Sequence, residues 1–338
     1  MISDAIKELV AGRDLSAGEV EAAMDTILAG KASGSQIAAF VVALRMKGES
    51  ADEIAAAARA LRKHCETIQP EVDGPLLDTC GTGGDGLHTF NISTAAAVVV
   101  AGCGVAVAKH GNRAVSSQAG SADVLEALGV RIDLTAERAR QCIEQMGIGF
   151  LFAPSHHAAM RHAAPVRREL GIRTLFNLLG PLSNPASATH QVVGVYDSGR
   201  VEQLARALGS LGLTAAWVVH GQGGLDEVSP SGPTTVAQLR DGKVSTFEVT
   251  PHDFGLSEVP IDALRGGNAT RNAEIIRGVL AGEQGPARVA VLLNAAAALC
   301  VAGVASDPRA AVERATEAVD SGAATETLDR WARFTRDS

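Results

Sequence analysis

Three segments of the chain gather residue types that can hold an anion. The first is Asp78-Thr79-Cys80-Gly81-Thr82-Gly83-Gly84-Asp85-Gly86. It follows a short apolar run and precedes a helical stretch. Glycines there let backbone amides approach an anion with no Cβ in the way. The second, Thr89-Phe90-Asn91-Ile92-Ser93-Thr94, runs into Ala95–Val100. Asn91 and Ser93 are helix-capping types, and a helix N-terminus presents free amides and the positive end of a dipole. Four polar side chains in six residues exceed what a cap alone requires. The third is Lys109-His110-Gly111-Asn112-Arg113-Ala114-Val115-Ser116-Ser117, followed by Gly120-Ser121. It leaves a predicted strand at the edge where open α/β sheets take ligands. Its lysine, arginine, asparagine and serines suit a phosphorylated sugar. The plain alternatives are a glycine-rich turn, a simple N-cap and a solvated loop.

Two familiar nucleotide motifs fail. Gly81, Gly83 and Gly86 satisfy G-x-G-x-x-G, but a dinucleotide fold wants an acidic residue about 20 positions on. No Asp or Glu occurs between residues 87 and 122. The next helix is also predicted near Ser93, too far from Gly86 for that glycine to pack in its first turn. Gly86 is followed by Leu87-His88 rather than Lys-Ser/Thr, so a P-loop is excluded. His156, His157 and His162 lack the spacing of a zinc motif, and pocket lining is preferred for His156.

These segments must be positioned by something larger. The 338 residues suggest two domains or one large one. Residues 1–70 read as helices: Ser16-Ala17-Gly18-Glu19 and Ser50-Ala51-Asp52-Glu53 are capping boxes, and Ile37, Phe40, Val41 and Leu44 share one helical face. Gln69–Pro75 reads as a linker. Beyond it, strand candidates at Leu76–Thr79, Val105–Ala108, Gly149–Ala153, Gln191–Tyr196 and Ala215–Val219 alternate with helices at 93–101, 121–128, 135–146 and 198–211. That alternation implies an α/β domain with a mostly parallel central sheet and flanking helices. Asp241-Gly242 marks a hairpin within Thr234–Thr250, and the chain is helical again from Thr270.

The net charge of −8 argues against nucleic-acid binding but leaves room for a local basic pocket. Five cysteines without a CxxC read as reduced thiols of a cytoplasmic protein. The N-terminus shows no signal peptide pattern. Val289–Ala305 is Ala-rich and short for a membrane span, so a buried helix is expected.

Taken together, Gly81–Asp85, Asn91–Thr94 and Lys109–Arg113 resemble the anthranilate phosphoribosyltransferase family. Phe152–His156, Val166–Thr174 and Phe176–Pro185 resemble it too, as does Gly224-Leu225-Asp226-Glu227-Val228-Ser229-Pro230. The likeness spans nearly the whole chain in the family's order. It implies transfer of a phosphoribosyl group from phosphoribosyl pyrophosphate to the amine of anthranilate. It implies a small all-helical domain, residues 1–70 with about 160–185 returning to it, joined to an α/β domain over 75–338. It also implies a homodimer formed through the helical domain.

Site roles follow from the same resemblance. Gly81, Gly84, Asp85, Thr89, Asn91, Ile92, Ser93 and Thr94 would hold phosphoribosyl pyrophosphate. So would Lys109, His110, Gly111, Asn112, Arg113, Ala114, Val115, Ser116, Ser117 and Ser121. Gly81, Asn112, Arg167 and His156 would receive anthranilate, with Arg167 on its carboxylate. Ser93, Asp226 and Glu227 would bind Mg²⁺, two ions per subunit. Read by itself, Asp226-Glu227 is a solvated turn, and Arg167 is not separable from Arg168. His110 is a candidate proton acceptor late in the reaction; no other catalytic group stands out. Two other readings share the fold: a pyrimidine-nucleoside phosphorylase-like enzyme, and a non-catalytic nucleic-acid-binding homologue.

Overall fold

The computed structural model describes residues 1–114 and 118–337. Four helices come first: α1 (Ile2–Val10), α2 (Ala17–Leu28), α3 (Gly34–Lys47) and α4 (Ala51–Lys63). Both predicted capping boxes form. Glu19 accepts from the Ser16 N–H at 2.9 Å while Ser16 Oγ accepts from the Glu19 N–H. Glu53 caps α4 in the same way and also accepts from the Leu15 N–H and from Lys47 Nζ, each within 2.9 Å. One capping carboxylate therefore also ties α4 to the turn before α2 and to the end of α3.

The rest of the chain builds a seven-stranded sheet. Its strands are β1 (Leu76–Gly81), β2 (Ala106–Gly111), β3 (Ile148–Phe152), β4 (His190–Gly194), β5 (Ala215–Gly221), β6 (Thr234–Arg240) and β7 (Lys243–Val249), in the order β3-β2-β1-β4-β5-β6-β7. The first five are parallel, and β6 and β7 add an antiparallel hairpin. Asp241 and Gly242 both take positive φ. A two-residue I′ hairpin turn demands that of both its central residues. Strand order reverses between β1 and β4, which opens a crevice beyond their carboxyl ends.

Between the strands lie α5 (Ile92–Gly102), α6 (Ser121–Ala127), α7 (Ala136–Met146), α8 (Ala153–His156), α9 (Ala164–Leu170), α10 (Leu175–Leu182) and α11 (Val201–Ser210). Four helices close the chain: α12 (Ala269–Leu280), α13 (Pro286–Val301), α14 (Pro308–Asp320) and α15 (Ala323–Arg336). The strands alternate faces with the two-residue period of a pleat. Val192, Trp217 and Val219 join a core with α5 and α12–α15. Val193, Ala216 and Val218 join a second core with α1–α4, α10 and α11. Val166, Leu175 and Leu179 pack in that second core beside Phe40, Leu44 and Ile54, so the 160–185 stretch lies on the N-terminal helices. The Ala-rich α13 is buried against α5 and α14, as its composition predicts. No helix among the described residues is long and apolar enough to cross a membrane.

Two strands run further than their apolar patterns suggest. β1 continues to Gly81 and β2 to Gly111, carrying Lys109 and His110 into the sheet. Lys109 is only 2% exposed. The sheet accommodates its charge because Nζ donates to the Thr79 carbonyl at 2.6 Å and the Asp78 carboxylate lies beside it. The predicted helix 198–211 opens instead as a 3₁₀ turn, Ser198–Arg200, before α11.

Candidate active site

The crevice is walled first by the loop after β1. Gly83, Gly84 and Gly86 all hold positive φ. A side chain at any of the three would be strained. Two loop amides are used to fix it: Thr82 N–H donates to the Gly194 carbonyl at 2.9 Å, and Gly83 N–H to Asp226 Oδ2 at 2.7 Å. Among the described residues, the amides of Gly84, Asp85 and Gly86 donate to no protein acceptor. They are free for an anion, which is the chemistry the glycine spacing suggests.

Asp226 and Glu227 follow β5 into this crevice, and they do not form the solvated turn that their local sequence implies. Both are half-buried. The approach depends on two glycines. A Cβ on Gly194 would sit 1.6 Å from the Asp226 carbonyl oxygen, and one on Gly81 would sit 2.4 Å from its carboxylate. Glu227 accepts from the Ser93 N–H at 3.0 Å and caps α5, the role expected of Asn91. Asn91 instead donates to the Ala119 carbonyl at 3.3 Å and accepts from Asn272 at 2.9 Å. Desolvation, and then Asp85 beside it, raises Asp226 well above the ordinary carboxylate range. Desolvation, and then Asp226, does the same to Glu227. Asp85 thus neighbours Asp226, Asp226 neighbours Glu227, and Glu227 meets the Ser93 hydroxyl, with Lys109 the cation that offsets Glu227. Hard oxygen donors with uncompensated charge fit a divalent cation that takes its remaining ligands from phosphate and water.

The β2 end contributes less charge to the crevice than its sequence suggests. Lys109 is committed to the Thr79 carbonyl, between Asp78 and Glu227. Arg113 turns outward onto α6, pairing with Asp123 at 2.9 Å and with Glu126 at 2.5 Å. Asn112 is exposed at the strand end, and its carbonyl accepts from Ser121 Oγ at 3.3 Å. A Cβ on Gly111 would lie 2.3 Å from that hydroxyl oxygen. The Ala114 N–H donates to Asp123 at 3.0 Å. Val115, Ser116 and Ser117 lie outside the described residues. In the second segment, Ile92 is buried in the core and leaves only its backbone near the site, Thr89 bridges to Arg265, and Thr94 is 1% exposed with its hydroxyl oxygen unpartnered.

Three histidines cluster behind the end of β2. His110 Nδ1 contacts the Gly180 carbonyl at 3.1 Å, and its ring lies 5.1 Å from that of His157. Burial, and then its histidine neighbours, depresses His110 far below its ordinary range, so it is a weak base here. Its Nε2 has no partner. His156 is pinned through Nδ1 to the Glu66 carbonyl at 2.7 Å. Arg167 is half-buried on α9 with its guanidinium 5.7 Å above Phe176. It makes no ion pair with any described residue, whereas Arg168 is exposed. That separates the two arginines as their sequence could not.

Several contributors have roles that the local sequence does not convey. Asp78 is fully buried and accepts from the His110 N–H, Asn184 and Gln191 within 3.3 Å, so it binds β1, β2 and the approach to β4 beneath the site. Burial pushes its carboxyl up to about 6 despite Lys109 beside it. Asn272 is silent in sequence, and Arg173 lies in the Val166–Thr174 segment with no role assigned to it there.

Comparison with known proteins agrees with this fold. Residues 3–65 match the model of the helical bundle domain of a glycosyl transferase family, and residues 73–325 match that of its a/b domain. The anthranilate phosphoribosyltransferase of Symbiobacterium thermophilum is 54% identical over 331 residues, covering 98% of this chain and 96% of that protein. The crystal structure of the anthranilate phosphoribosyltransferase of Thermus thermophilus superposes with a TM-score of 0.94 at 45% identity, covering 98% of this chain and 99% of that one. The enzyme of Saccharomyces cerevisiae, solved with phosphoribosyl pyrophosphate and Mg, superposes with a TM-score of 0.91 at 30% identity, covering 100% of this chain and 98% of that one. With a matching architecture and relatives of this identity along its whole length, the chain belongs to the anthranilate phosphoribosyltransferase family.

Proposed function

We propose that this protein transfers the phosphoribosyl group of phosphoribosyl pyrophosphate to the amine of anthranilate, a step of tryptophan biosynthesis, and releases pyrophosphate. The observation that carries the reading is the meeting of Asp226, Glu227 and Ser93 with a loop of unused amides at the β1/β4 crevice. The C–N bond forms at the anomeric carbon while the C–O bond to pyrophosphate breaks, so positive charge builds on the sugar and negative charge on the leaving group. An aromatic amine is neutral near pH 7, and attack needs no prior base. Catalysis then rests on positioning and electrostatics.

The amides of Gly84, Asp85 and Gly86, with Gly81 behind them, receive the pyrophosphate. Thr89, Asn91, Ser93 and Thr94, together with the backbone of Ile92, line its approach. The segment from Lys109 to Ser117 with Ser121 receives the sugar phosphate; Lys109 acts there as a buried counter-charge, and Arg113 acts only if its pairs with α6 open. Arg167, Asn112, Gly81 and His156 receive anthranilate. His110 Nε2, without a protein partner, would relay the proton released from the amine after bond formation rather than keep it, because burial makes the ring a weak base. Ser93, Asp226 and Glu227 would hold Mg²⁺, two ions per subunit, and when bound that metal neutralises the departing pyrophosphate.

The helical domain comprises residues 1–70 with about 160–185, and the α/β domain comprises 75–338. We also assign a homodimer through the helical domain, as the family resemblance implies; exposed Val10 on α1 and Met46 on α3 are apolar side chains it could cover. Five unpaired cysteines support a cytoplasmic setting. Loss of anthranilate fluorescence on mixing with phosphoribosyl pyrophosphate, dependent on Mg²⁺, is the expected assay result. No loss in the presence of both substrates and the metal would overturn the reading. Light scattering is expected to give twice the chain mass, and a monomeric mass would remove the dimer.

A further inference from the structure

The turn between α9 and α10 carries an arginine that no substrate role absorbs. Gly171 ends α9 in the left-handed conformation, and Thr174 opens α10 with its N–H donating to Asn177 Oδ1 at 3.0 Å. Arg173 is held between these two fixed ends. Its Nη2 donates to the Thr82 carbonyl at 3.0 Å and to the Gly83 carbonyl at 2.5 Å. The guanidinium carbon lies 3.9 Å from the centre of the Tyr196 ring, within cation–π range. Room for it exists only because residue 84 is glycine: a Cβ there would lie 1.5 Å from Nη1. Arg173 is thus docked on the outer side of the glycine loop, by contacts that join residues ninety positions apart.

From this we infer that Arg173 is a positioning residue for the pyrophosphate loop, drawing the Thr82 and Gly83 carbonyls outward so that the amides after them face the crevice. The inference rests on the proposed phosphoribosyl chemistry for its ligand. The physical reason is the geometry of a peptide unit, whose C=O and N–H point in opposite directions. Fixing two successive carbonyls on one cation fixes the aim of the N–H of Gly83 and of Gly84. Gly83 N–H indeed meets Asp226, and that of Gly84 is unused. A pre-aimed loop lowers the ordering cost of binding an anion. Arg173 also sits six residues beyond Arg167, so the two substrate sites share one rigid segment.

The test compares the full-length wild type with Arg173→Ala and Arg173→Lys. Binding of phosphoribosyl pyrophosphate with Mg²⁺ is measured by calorimetry, KM for each substrate by the fluorescence assay, and the thermal midpoint by calorimetric scan. Arg173→Ala is expected to weaken phosphoribosyl pyrophosphate binding about tenfold or more and to raise its KM by the same factor, leaving the anthranilate KM within about twofold. The thermal midpoint should stay close to that of the wild type. Added methylguanidinium at millimolar levels should restore binding in the Ala variant, and Lys should restore it only partly, because an ammonium lacks the planar face and the fork. Unchanged binding in the Ala variant overturns the inference. So does a loss that follows a lowered midpoint, spreads equally to both substrates and resists methylguanidinium. A wild type that binds phosphoribosyl pyrophosphate but transfers nothing would sink the proposed reaction, and the binding arm would still decide the role of Arg173.

Discussion

Replacing Asp226 with Asn and Glu227 with Gln together is expected to lower Mg²⁺-dependent turnover by about a thousandfold, while raising the thermal midpoint of the metal-free protein. The two effects share one cause. The two carboxylates are half-buried and lie beside each other, with Asp85 beside Asp226; among the described residues their partners are backbone N–H groups, the Ser93 hydroxyl and the Lys109 charge. Like charges held together in a desolvated place cost folding free energy unless a cation joins them. Amide isosteres keep the shape and remove that cost. They also remove the anionic oxygens that hold a hard divalent ion, whose loss from a site with a departing pyrophosphate is worth several kcal/mol, with each ~1.4 kcal/mol a factor of ten in rate. Adding Mg²⁺ should raise the midpoint of the wild type and leave that of the double variant unmoved. Turnover that persists in the double variant with an unaltered Mg²⁺ dependence would refute the assignment of these residues to the metal.

What the sequence conveys about this site divides along a physical line. Features that depend on near neighbours are legible. The Asp241-Gly242 turn, the Ser16–Glu19 and Ser50–Glu53 boxes and the alternation of strands and helices follow from local backbone preferences and hydrophobic period. The glycine loop is also legible as an anion site, because only glycine takes its backbone angles freely. Features made by distant segments meeting are not. Asp226-Glu227 looks like a solvated turn until Gly194, thirty-two positions earlier in the sequence, is seen to leave space for its backbone. Lys109 looks like a phosphate ligand until the Thr79 carbonyl and Asp78 are found around it. Asn272 lies in no motif, and Asp78 and Arg173 lie inside motifs that give them no role, since their partners across the site lie at least thirty residues away. The resemblance to a family supplied roles for Arg167 and the carboxylates that composition and spacing alone did not.

Arg167→Ala is expected to lower kcat/KM for anthranilate by about a hundredfold with little change in the KM for phosphoribosyl pyrophosphate. The guanidinium of Arg167 is half-buried over Phe176, and desolvation lowers its pKa from the usual arginine value. No described carboxylate pairs with it, although this chain pairs most of its other partly buried cations: Lys47 with Glu53, Arg200 with Glu49, Arg288 with Asp320. A cation held partly out of water without a counter-ion is stabilised by whatever anion arrives, and a planar carboxylate matches its fork. Charge-assisted hydrogen bonds of this kind contribute about 1.5–3 kcal/mol, which sets the scale of the effect. Lys at this position should recover only a small part, because it offers a point charge and no fork. Arg168→Ala is the control: that side chain is exposed, and its loss should leave both constants near those of the wild type. The fall should also depend on the ligand. An anthranilate analogue whose carboxylate is replaced by a neutral carboxamide should be used equally poorly by wild type and Arg167→Ala. If the variant instead lost the same factor with acid and amide alike, the guanidinium would be supporting the pocket wall through Phe176 rather than meeting the substrate's charge.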